Sequence, residues 1–142
     1  MKREVLKTAL AMLLLTGCVT ADRSVATDVD PAEWSEAAEI VIPNADTVSR
    51  CDLSLFLRYD EHFRDDTLTL RIEVRTPDSL RFEEPFLFCA NHLRRPAAVH
   101  GEAVAGYRRH ATFARCGDYR FLVTPTRAVQ GIEAVGLHVE CE

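Results

Sequence analysis

The chain has 142 residues, a formal net charge of −5, 47% hydrophobic and 27% charged residues. That length and balance fit one globular domain with a single core. An acidic chain lacks the basic stripe that nucleic acid demands, so no nucleic-acid partner is expected.

Lys2, Arg3 and Lys7 precede an apolar run from Ala9 to Leu15. The run falls well short of the roughly 20 residues that cross a bilayer and has the length of a signal-peptide core. It ends in Leu15-Thr16-Gly17-Cys18, which resembles the bacterial lipobox. The resemblance implies removal of residues 1–17 as a lipoprotein signal peptide and lipidation of the Cys18 thiol. The alternative is an ordinary secretory leader with a chance cysteine. Two or more acyl chains make attachment stable where one does not, so the membrane is an expected partner through Cys18. Val19 rather than an aspartate follows the cysteine, and no tight acidic cluster comes next. Those features point to the outer membrane, on its periplasmic side. Residues 18–33 are polar and read as a flexible membrane tether. The folded domain is expected over residues 34–142.

From Trp34 onward the dominant period is two. Cys51, Leu53, Leu55, Leu57 and Tyr59 alternate with Asp52, Ser54, Phe56 and Arg58. Leu68, Leu70, Ile72 and Val74 alternate with Thr69, Arg71, Glu73 and Arg75, and Tyr119, Phe121 and Val123 with Arg120, Leu122 and Thr124. Val135, Leu137, Val139 and Cys141 form the final run. Each run buries one face of a strand and wets the other. Turn residues lie between the runs, at Glu61 to Asp66 and at Pro77-Asp78-Ser79. Cys116-Gly117-Asp118 predicts a hairpin joining Tyr107–Arg115 to Tyr119–Thr124, and Pro125 to Gly131 is expected to hold a single helical turn. The fold class is all-β: one antiparallel β-sandwich of about seven or eight strands, immunoglobulin-like or jelly-roll-like.

Besides Cys18 there are Cys51, Cys89, Cys116 and Cys141, an even number in an oxidising compartment. Three pairings are open. Cys51 and Cys141 sit on the apolar side of alternating runs near the two ends of the domain, which favours that bridge, with Cys89–Cys116 as its complement. Buried free thiols are the alternative.

Gly117-Asp118-Tyr119-Arg120-Phe121, then Arg127, then Gly131-Ile132-Glu133-Ala134-Val135-Gly136-Leu137 resembles the C-terminal signature of the gliding-motility lipoproteins of the GldH type from Bacteroidota. Trp34, the stretch around Asp46 to Tyr59, and Leu80 to Phe88 fall where that family has its tryptophan, an early strand and an aromatic-rich strand. Leu80, Phe82, Glu84 and Thr126 depart from the pattern, as in a divergent member. The resemblance implies an accessory role in gliding and its linked secretion machinery, through a protein partner in an envelope complex. It carries over no catalytic residue.

Other constellations are weaker. Cys89, His92, His100 and His110 match no familiar zinc spacing, and no metal or cofactor is expected. Neither Asp65-Asp66 nor Glu83-Glu84 forms a dyad, because strand neighbours point to opposite faces. No nucleophile motif is present, so no catalytic residue and no enzyme activity are expected. Arg94, Arg95, Arg108 and Arg109 concentrate positive charge between Asn91 and Arg109, a segment with little strand pattern. Arginine pairs well with carboxylate and phosphate, which makes these four a candidate partner contact; a solvated loop is the plainer reading. The expected function is a non-catalytic, membrane-anchored accessory protein. The alternative is a binding module for a glycan or peptide.

Overall fold

A computed structural model of the chain describes residues 22–90 and 100–142. Among them eight strands run in chain order: β1 (Arg23–Asp28), β2 (Ala38–Asn44), β3 (Cys51–Asp60), β4 (Thr67–Arg75), β5 (Arg81–Cys89), β6 (His100–Ala111), β7 (Gly117–Pro125) and β8 (Ile132–Cys141). The period-two runs become strands because alternation lets each bury one face. In β4 the pattern is strict, with Leu68, Leu70, Ile72 and Val74 all buried.

The strands form two antiparallel sheets, ordered β1-β8-β3-β6 and β2-β7-β4-β5. The first strand pairs with the eighth, the second with the seventh, the third with the sixth and the fourth with the fifth. That paired ribbon is wound so that β3 also meets β8 and β4 meets β7. This winding is the jelly roll rather than the immunoglobulin arrangement. Ile40, Ile42, Leu55, Leu57, Phe88 and Leu137 pack between the sheets with almost no exposure.

The winding overturns several local expectations. Tyr107–Arg115 and Tyr119–Thr124 do not form a hairpin, since β6 pairs with β3 while β7 lies in the other sheet. The 112–116 link crosses between sheets, and the tight turn belongs to β4 and β5. Pro125 to Gly131 holds no helical turn; it bends through a bridge between Val129 and Trp34. From His100 onward the arginine-rich segment is strand β6, not loop. Nor does the domain start at Trp34. Arg23–Asp28 is a full edge strand on β8, although its only large apolar side chain is Val25, because ladder bonds need backbone rather than apolar side chains.

Strand directions sort the links into two poles. At the amino-terminal pole lie the start of β1, the 45–50, 76–80 and 112–116 links, and the end of β8. At the opposite pole lie the 29–37, 61–66 and 126–131 links. The margin between β1 and β2 is closed by Arg23 and Thr27, whose side chains donate to the carbonyls of Pro43 and Glu39.

Candidate functional site

At the pole away from the amino terminus, backbone hydrogen bonds tie the 29–37 and 126–131 links to each other and to the end of β3, from which the 61–66 link departs. Trp34 and Val129 exchange bonds of 2.8 and 3.0 Å, the Gly131 amide donates to Pro31 at 2.8 Å, and the Asp60 amide donates to the Gly131 carbonyl at 2.8 Å. Gly131 adopts a φ of +81°, and a Cβ there would stand 2.2 Å from the Phe63 nitrogen. Only glycine permits that approach. Trp34 is buried beneath the links, its indole N–H donating to the Glu36 carbonyl at 2.8 Å.

On this frame sits an open, polar bowl of about 530 Å³. Its polar lining comes from all three links: Glu33, His62, Arg64, Asp65, Arg127 and Gln130. Arg127 donates to Asp65 at 2.7 Å, and the ring of His62 lies 3.2 Å from Asp60. Arg64 and Glu33 have no partner among the described residues, leaving one cation and one anion to face a ligand. Among the described residues no Trp, Tyr or Phe side chain lines the bowl.

At the amino-terminal pole a second, mainly apolar cleft of about 270 Å³ is lined by Val74, Phe82, Tyr107, Phe113 and Phe121. Across this margin β5 and β6 share no ladder, and side chains bridge them. Tyr107 donates to Glu84 at 2.6 Å, Arg108 donates to the same carboxylate oxygen, and the Arg108 guanidinium lies 4.5 Å from the Tyr107 ring centroid. Arg108 and then Tyr107 hold the Glu84 carboxyl below its usual range, while burial, then Glu84, pushes the Tyr107 hydroxyl upward.

The expected site residues distribute between these features. Cys18, Arg94, Arg95 and His92 lie outside the described residues. Arg108 is committed to Glu84, and Arg109 has no partner among the described residues. Both stand near the far end of β6 from His100, roughly 26 Å along the strand at 3.3 Å per residue. Cys51 and Cys141 are directly opposed in the β3–β8 ladder and joined by a disulfide. Cys89 and Cys116 are instead free and exposed. Cys89 faces Thr67 at one end of β4, while Cys116 precedes Gly117 at the other pole. A strand of nine residues separates those ends, about 26 Å against the ~7 Å limit between bridged Cα atoms. That complementary bridge cannot form in this fold. His100 pairs with Glu133 at 3.0 Å, and no group of three or more metal-binding side chains occurs among the described residues.

The alternation also concealed a polar row on the outer face of the β1-β8-β3-β6 sheet. Ser24 contacts His138, whose other ring nitrogen lies 3.4 Å from Glu102. The residue types match a nucleophile, base and orienting acid. However, β8 is paired on both sides, so its amides are held in ladders and supply no oxyanion hole. The row instead covers Phe56, stacked on His138 at 4.2 Å.

No protein-family model and no curated protein matches the chain. Among solved structures it is similar to one described as concerning the promiscuous specificity of carbohydrate-binding modules from the β-sandwich superfamily. The identity is 12% and the TM-score 0.32, over 85% of this chain and 52% of that one. This chain therefore spans about half of that chain's length. It is also similar to the coat protein of Tobacco streak virus, with 8% identity and a TM-score of 0.27, over 89% of this chain and 90% of that one. Likeness at these scores carries no inference about what this chain binds.

Proposed function

We propose that this protein is a non-catalytic binding domain held at the bacterial envelope by a lipid on Cys18, receiving a protein partner in the polar bowl. One observation carries the reading: the bowl presents Arg64 and Glu33, unpaired among the described residues, around the 29–37 and 126–131 links that backbone hydrogen bonds tie to each other and to the end of β3. A preformed concave site with a few placed polar groups is where a ligand binds with least ordering cost. The lining favours a polar peptide surface over a glycan, since sugar faces stack on exposed aromatic rings and the described residues of the bowl offer none. The Leu15–Cys18 box supports the anchor, and the Gly117–Leu137 block supports an accessory role in gliding and its linked secretion machinery.

Placing a photoreactive amino acid at Gln130 in cells is expected to yield one dominant protein adduct, lost in an Arg64→Ser, Arg127→Ser variant. A dispersed adduct pattern unaffected by those substitutions would overturn the bowl as the contact. Deleting the gene and scoring surface motility and secreted protein tests the finer assignment. A mutant normal in both removes it.

A further inference from the structure

The anchor and the fold together define an orientation. Because β1 starts at Arg23, only five residue steps separate it from Cys18, at most about 18 Å of extended chain. The ten residues of β3 span roughly 30 Å. A leash so short cannot lift the start of β1 a full strand length from the membrane that holds Cys18, so the domain cannot stand upright with the bowl end down.

Three of the five exposed large apolar side chains among the described residues stand at the pole from which the chain departs, the others being Leu87 and Val104. Val48 is 83% exposed, Leu80 63% and Phe82 49%. Val48 is held outward because the Asp46 carboxylate accepts from the Val48 and Ser49 amides at 2.9 and 3.1 Å. The links form one continuous surface: Arg115 reaches Asp78 at 3.4 Å, and the Cys116 thiol lies 3.8 Å from the Ala45 carbonyl. Arg50 and Arg109, unpaired among the described residues, stand at the same pole. Apolar side chains beside free arginines suit the boundary between acyl chains and phosphate headgroups.

We propose that the amino-terminal pole rests on the membrane, with Val48, Leu80 and Phe82 in the interfacial layer and the bowl directed away. This rests on the Cys18 anchor proposed above. The fold provides a native reporter at each pole, the exposed free thiols of Cys116 and Cys89. The lipidated protein would be placed in phosphatidylethanolamine–phosphatidylglycerol vesicles, with bimane on Cys116 in Cys89→Ser and on Cys89 in Cys116→Ser. Bimane on Cys116 is expected to be quenched by nitroxide lipid and shielded several-fold from aqueous iodide; bimane on Cys89 should behave in the opposite way. Val48→Asp with Leu80→Asp should abolish lipid quenching at Cys116 while the protein still sediments with vesicles. Equal iodide access at both sites, or lipid quenching at Cys89, overturns the orientation while leaving the anchor intact. If the wild type fails to sediment and its amino-terminal peptide carries no acyl chain, the anchor falls, and the orientation with it.

Discussion

The ring of Phe56 lies directly on the backbone of Gly136, so close that a Cβ on the glycine would stand 2.2 Å from the ring's Cζ. Phe56 occupies an outward position of β3, yet it is only 1% exposed. Gly136 opposes it in the β3–β8 register, the His138 ring stacks on it, and the Arg58 guanidinium sits 5.4 Å from its centroid. Gly136→Ala should therefore lower stability by about 1–3 kcal/mol, as overpacking does, read from the urea midpoint. In a Phe56→Ala background the same glycine change should cost distinctly less, because the neighbours are coupled. Additive losses would show that the ring and the glycine are independent.

Removing the Cys51–Cys141 bridge, which closes a sequence separation of 90 residues, should destabilise the domain by about 2–5 kcal/mol. Denaturant unfolding of the Cys51→Ser, Cys141→Ser variant measures this. Cys89→Ser and Cys116→Ser should leave the midpoint unchanged. In the folded protein a thiol reagent should modify Cys89 and Cys116 without denaturant, and neither should be found bridged to the other.

Glu84 provides a pH signature. Arg108 and Tyr107 keep it ionised below its ordinary value of 4.5, so the unfolded chain takes up its proton first as pH falls. Its stabilising contribution is fully present above that ordinary value and is lost as pH drops through the lower folded one. Urea midpoints followed downward from neutral pH should show wild type more stable than Glu84→Gln, with the gap closing in acid. A gap independent of pH would mean that the carboxylate charge contributes nothing.

Gly131 tests the bowl. With a φ of +81° and the Phe63 nitrogen beside it, Gly131→Ala cannot keep the bonds to Pro31 and Asp60. Limited proteolysis should then cut within 29–37 or 61–66 at protease levels that leave wild type intact. The two-sheet core should survive, because Gly131 lies outside β8.

The strand runs were legible because alternation is a one-dimensional trace of burial: Leu68 to Val74 and Tyr119 to Val123 need no tertiary context. Strand β1 was not, since a short polar segment such as Arg23–Asp28 is chosen by the free edge of β8 rather than by its own pattern. Phe56 deceived the alternation, because its shelter comes from Gly136, His138 and Arg58 on the same side of the sheet. The hairpin expected around Gly117-Asp118 failed for another reason: turn chemistry reports that the chain bends, not which sheet it enters next. The bowl was invisible because its frame is a set of backbone bonds among Pro31, Trp34, Asp60, Val129 and Gly131, which side-chain identity does not encode.

The pairing of β1 with β8 also bears on biogenesis. A polypeptide delivered amino end first must wait with its opening strand unpaired until the closing one arrives. Such distant pairing slows folding and leaves bare strand edges open to neighbouring chains meanwhile. A holding chaperone would keep those edges covered while β1 waits, and its depletion should leave this protein among the first to aggregate.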